Sequence, residues 1–185
     1  ANHHLMATLF EILDRRDEAR AHYLEDVGIS EELVAHDPTN TDWLNSRATT
    51  AITLARFHLR EGDLAAAGRW IDEAAAALAA LPGDESGREA WNLNHLDLMY
   101  TRALHACEAG DDARALALLD EALPRGRELQ RSLEDQQADR ILGHILTRRA
   151  ELQGRQDAAR TDFEAAARQF PAEAEDIRDG RVLFV

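Results

Sequence analysis

Apolar residues recur at three- and four-residue spacing along most of this 185-residue chain, the period of helix faces. The clearest run is Leu44, Ala48, Ala51, Ala55 and Leu59, with Ile52 and Leu54 beside it, and it predicts a helix over about 42–61. The stretch at 59–80 then gives the organising unit. Gly62 can take the left-handed conformation that closes a helix, and Asp63 can cap the next one. Beyond that mark Ala67 and Ala74 share one face with Ile71 between them, and small residues on one stripe call for a closely packed neighbour. The same arrangement returns at 109–122 and 153–166, with a fainter copy at 16–27.

The pattern predicts further helices at 4–14, 18–34, 64–81, 89–109, 112–129, 134–153 and 156–170. Gly28 is a place for a kink in the second, and Pro124 should end or bend the one that holds it. Two loops separate the elements, His36-Asp37-Pro38-Thr39-Asn40 and the Pro- and Gly-containing stretch at 81–87. Pro171 stops the last helix, leaving room for a short one at 172–178. The apolar end, Val182, Leu183, Phe184 and Val185 after Arg181, is expected to fold back on the last pair or to dock on another copy.

Marks at Arg16, Gly62, Gly110 and Gly154 are spaced by 46, 48 and 44 residues. A recurrence in the 20–50 range, each unit a helix pair, is the signature of a helical solenoid, in which neighbouring pairs bury each other's faces. On Gly62, Asp63, Ala67, Ile71 and Ala74, on Gly110, Asp111, Ala115, Leu119 and Ala122, and on Gly154, Ala159, Phe163 and Ala166, the chain resembles the tetratricopeptide repeat family. Leu54-Ala55 matches that family's Leu-small pair, and His58 falls at its tyrosine position. The family's tryptophan position falls on Ala51, Met99 and Gly143, and its closing proline is matched loosely by Pro82 and Pro124. The period is longer than the family's 34, so helices lengthened by two or three turns are expected. His36-Asp37-Pro38-x-Asn40-x-x-Trp43 is similar to the junctions of long-period bacterial arrays.

The resemblance, over about residues 5–170, implies an all-α fold, a right-handed α-α superhelix of antiparallel helix pairs. About four repeats are expected, at 4–36, 40–81, 88–130 and 134–170, in a single domain with a cap or tail at 171–185. It also implies a concave groove lined by the first helix of each pair. The groove positions are Thr49, Ile52, Thr53 and Arg56; Asp97, Tyr100, Thr101 and Leu104; and Ile141, His144, Ile145 and Arg148. The Lys and Asn set that clamps a peptide carboxylate in some family members is absent there.

Composition narrows the function. With 45% hydrophobic, 30% charged and 5% aromatic residues the chain is too apolar for a disordered one. A formal charge of −14 argues against a nucleic-acid or anionic-membrane partner. Cys107 is the only cysteine, so no internal disulfide forms, and a buried, inert thiol is expected. No apolar run reaches the roughly 20 residues of a membrane helix, and no signal peptide is visible, so a cytoplasmic location is the default. The start at Ala1 without methionine reads as part of a longer protein.

Candidate chemistry is sparse. The eight histidines include no His-x-x-x-His pair able to hold zinc on one helix face. His58 is expected to pack between the helices of one repeat. Cys107 lacks a base or oxyanion donor, and carboxylates such as Asp72-Glu73 and Asp120-Glu121 repeat on polar faces. Catalytic, metal-binding and cofactor-binding residues are therefore expected to be absent. The expected role is non-catalytic binding of a protein or peptide, or of another domain of the same chain, within a bacterial signalling or regulatory protein. The alternative is a sensor of a peptide or small molecule that controls an attached ATPase, kinase or DNA-binding domain. A structural spacer is the third reading, and the apolar ends make a homo-oligomer conceivable.

Overall fold

In a computed structural model, residues 2–81, 88–132 and 136–169 are described. They form seven helices and no strand: α1 (His3–Ile12), α2 (Arg16–His36), α3 (Thr41–Arg60), α4 (Leu64–Ala79), α5 (Arg88–Glu108), α6 (Asp112–Ser132) and α7 (Gln136–Gln169). The protein is all-α over these residues. Two compact units divide the chain, Ala1–Ile145 and Leu146–Val185, and the boundary falls within α7.

In the first unit α1 packs on α2, α3 on α4 and α5 on α6; α3 also meets α2 and α5, and α4 meets α5. Each pair is joined by the same hydrogen-bonded stop. Gly62 and Gly110 have φ of 75° and 77°, and Asp14 takes their place in the first pair with φ of 54°. The amides one residue later reach back to close the preceding helix: Arg15 to the Phe10 carbonyl at 2.8 Å, Asp63 to His58 and Asp111 to Ala106 at 2.9 Å. These are Schellman closures, which satisfy carbonyls that a helix end would leave orphaned. Asp63 and Asp111 then cap the next helix, accepting from the amides of Ala66 and Arg114 at 2.9 Å. Arg15 makes no such side-chain cap.

Asp14, Gly62 and Gly110 lie 48 residues apart, and the packing follows that register. Ala7, Ala55 and Ala103 on the first helices are all 0% exposed, as are Ala19, Ala67 and Ala115 on the second. Tyr23, Ile71 and Leu119, four residues beyond the second alanine, are buried as well. Without side chains beyond Cβ, the alanines let paired helices approach, and the larger residue four on fills the space that opens beside them. One core cluster joins Ala7, Ala19, Tyr23, Leu54 and Phe57; another joins α3, α4 and Leu98 of α5. Trp91 ties α5 to the end of α4, its indole N–H donating to the Leu78 carbonyl at 3.1 Å.

Several local expectations differ from the structure. The first mark is Asp14 rather than Arg16, so the leading interval is 48 residues, not 46. Helix α2 runs through Gly28 without a break, and α6 does not end at Pro124 but runs on to Ser132. The pair expected at 134–153 and 156–170 is one continuous helix, α7, which passes through Gly154. Gly154 is followed by Arg155 rather than by a capping aspartate, and one glycine costs a helix only about 1 kcal/mol. Cys107 is partly rather than fully buried. The short helix expected at 172–178 and the tail at 181–185 lie outside the described residues.

Candidate functional site

The polar face shared by α3 and α5 arises from helical spacing. Asn45, Thr49, Thr53 and Arg56 fall on one side of α3, and Asn94, Asp97 and Thr101 on one side of α5. Where these faces meet, the Thr49 hydroxyl lies 3.1 Å from Asn94 Oδ1, and the Asn94 amide donates to the Asn45 carbonyl at 3.2 Å. Farther along, Arg56 Nε donates to Thr101 Oγ1 at 3.0 Å, and its guanidinium pairs with the Asp97 carboxylate. Thr101 Oγ1 in turn donates to the Asp97 carbonyl at 2.8 Å. The Arg56 and Asp97 side chains keep 26% and 14% of their exposure, so the pair is sheltered yet reachable from water.

Aromatic groups continue this face. The Arg56 guanidinium sits 5.5 Å from the centre of the Tyr100 ring, within cation–π range. Tyr100 stacks on His144 of α7, with centroids 5.8 Å apart and planes 15° from parallel. An arginine, a tyrosine and a histidine thus stand in sequence, with the hydroxyls of Thr49 and Thr53 one to two helical turns away. Thr53 donates back to the Thr49 carbonyl at 2.9 Å.

The groove positions read from the sequence divide on this geometry. Thr49, Thr53, Arg56, Asp97, Tyr100 and His144 come together with surface still exposed. Ile52 and Thr101 are buried at 2% and 0%, and Ile141 and Ile145 are buried as well, so their side chains support the face instead of lining it. Leu104 is half-buried. Arg148 belongs to the second unit, where it pairs with Glu151 at 3.1 Å. Arg56, one of the groove positions, is already engaged by Asp97 in the same chain. Asn45 and Asn94 were missed; the signal was an asparagine directly after a stripe leucine in Leu44-Asn45 and Leu93-Asn94.

A concavity of about 580 Å3 lies between α5 and α6 and is lined by Asn92, His95, Met99, Glu121, Arg125 and Leu129, among others. Arg125 is held at its rim, over the Trp91 ring at 5.1 Å and donating to Asn92 Oδ1 at 3.0 Å. His95 Nδ1 is buried with no hydrogen-bond partner. Burial, reinforced by Arg125 and Arg102, holds the His95 pKa below the ordinary histidine value, which favours the neutral ring.

Among the described residues no group of three or more His, Cys, Asp or Glu side chains is placed to hold a metal ion, and no helix is long and apolar enough to cross a membrane. No family model matches the chain, and neither a curated protein nor a solved structure matches it.

Proposed function

We propose that this chain is a non-catalytic interaction scaffold of the tetratricopeptide type, a superhelical array that binds a protein or peptide segment across the first helices of its pairs. The observation that carries the reading is the α3–α5 face: hydroxyls, a sheltered Arg56–Asp97 pair and the stacked Tyr100 and His144 form one continuous strip. Such a strip offers an extended segment hydrogen-bond partners and a flat amphipathic anchor, the mixture that recognition surfaces favour. The reading places the protein in the cytoplasm, with no cofactor and no role for nucleic acid or membrane.

A second reading, a regulatory domain that senses a small molecule or peptide and controls an attached ATPase, kinase or DNA-binding domain, is favoured by the cleft beside His95.

Peptides selected from a random library on the immobilised protein would test the scaffold. Titrated against Tyr100→Ala and Thr53→Arg, they should lose affinity about tenfold or more, because a central aromatic anchor commonly carries 1–2 kcal/mol or more of binding. Affinity unchanged from the parent protein in both variants, or no selected peptide at all, would overturn the proposal.

A further inference from the structure

The cleft between α5 and α6 carries charge of both signs that makes no ion pair. Glu121, Arg125 and Glu128 stand four and three residues apart on one face of α6, and all three line the cleft. Side chains at that spacing commonly pair, yet Arg125 turns across to the Trp91 ring and Asn92 Oδ1 of α5. Neither glutamate has an ion-pair partner among the described residues. With one N–H on Asn92 and its flat side near Trp91, the Arg125 guanidinium is fixed and keeps further donors for a guest. Met99 and Leu129, 7% and 6% exposed, add an apolar floor. His95 lies in the same wall with Nδ1 sealed in, so its ring can meet a guest only through Nε2.

A guest that satisfies these groups carries an anion for Arg125, a cation for a glutamate and apolar surface for Met99 and Leu129. The volume of about 580 Å3 falls among small-ligand sites, which span roughly 300–1,000 Å3. Separation of the charges then sets the length. Because Arg125 is drawn toward α5, its guanidinium stands beyond ion-pair distance of either carboxylate. A single amino acid carries both charges on one carbon, whereas two joined residues set them about 7 Å apart. Resting on the reading that this cleft receives a small molecule, we infer that it binds a free peptide of two or three residues with apolar side chains. The terminal carboxylate lies on Arg125, the terminal ammonium between Glu121 and Glu128, and the central amide faces His95 Nε2.

Leucyl-leucine, titrated into the 185-residue chain with isotope-labelled methionine methyl groups, tests the inference by nuclear magnetic resonance. The chain has two methionines, so Met99 reports on the cleft and Met6 of α1 is the internal control. Saturable movement of the Met99 signal is expected, with Met6 unmoved. N-acetylation or C-amidation of the dipeptide should each weaken binding about tenfold, the worth of one hydrogen-bonded contact to a charged group. Arg125→Gln should weaken leucyl-leucine by about the same factor and leave the amidated form unchanged, since both changes remove one contact. Glu121→Gln combined with Glu128→Gln should spare the acetylated form in the same way. Equal affinity for free and capped dipeptides would overturn the inference, as would Arg125→Gln weakening both forms alike or free leucine binding as tightly as leucyl-leucine. Uncharged and singly charged small molecules, titrated alongside, separate two failures. If one of them moves Met99 and leucyl-leucine does not, the peptide assignment falls and the sensor reading stands. If nothing moves Met99, both fall.

Discussion

Replacing Tyr23 by alanine is expected to destabilise the first unit by about 3–5 kcal/mol, the range for removing a buried aromatic side chain. Tyr23 is 0% exposed and meets the Phe57 ring edge-on at 5.7 Å, joining α2 to α3. Its hydroxyl donates to Glu11 Oε2 at 2.7 Å, and Glu11 also pairs with Arg60. One side chain thus holds three helices. Burial and the Glu11 carboxylate push the Tyr23 pKa up to about 12, so the phenol stays protonated and donating at any ordinary pH. Tyr23→Phe keeps the ring and loses only that bond, for which about 1 kcal/mol is expected. Urea titrations of the two variants check the ordering. Similar losses for both would mean that the hydroxyl network, rather than ring packing, dominates.

The alanine stripe gives the second large effect. Ala67 and Ala115 are both 0% exposed at equivalent places in successive pairs. Leucine at either place must push the partner helix away or take a strained rotamer, at a cost of about 1–3 kcal/mol. Ala76→Leu, on the exposed side of α4, should stay within about 0.5 kcal/mol of the parent. Equal melting shifts for Ala67→Leu and Ala76→Leu would show that the stripe is not the packing seam.

Much of the fold was legible because its stops are written in residue chemistry. Gly62-Asp63 and Gly110-Asp111 combine a residue free to take positive φ with a capping side chain, and the structure uses both in that way. The first stop was harder to read, since Asp14 enters the left-handed region without being glycine. Gly154 misled for the converse reason. A glycine without a capping partner carries no instruction to stop, and helix on both sides absorbs its small cost. Pro124 removes a backbone donor from α6 and crowds the carbonyl of the preceding turn, a larger cost than a glycine's, yet α6 continues to Ser132.

The candidate face was legible as a set of positions but not as a set of contacts. Periodicity places Thr49, Thr53 and Arg56 on one side of α3. Which residue of α5 each would meet depends on how far neighbouring helices slide, and no spacing within either helix records that. Arg56 finds Asp97 and Thr101, 41 and 45 residues away, while Thr49 finds Asn94, 45 away. Both differ from the 48-residue period by the slide between helices. The same slide buries Thr101 and Ile52, which look equivalent to their exposed neighbours in sequence.

In a 48-residue register, successive helix pairs are interchangeable units. Removing residues 63–110 tests it most directly, because Gly62 is then joined to Asp111 and α3 is followed by α6 in the frame that α4 had occupied. The expected product is a helical chain that still melts cooperatively. Removing residues 63–112 instead takes out the capping aspartate and turns the face of Ala115, Leu119 and Ala122 by about 200° relative to α3. That chain should lose its cooperative melt, monitored by far-ultraviolet circular dichroism. Indistinguishable melts for the two deletions, or an unfolded chain after the in-register one, would contradict the register.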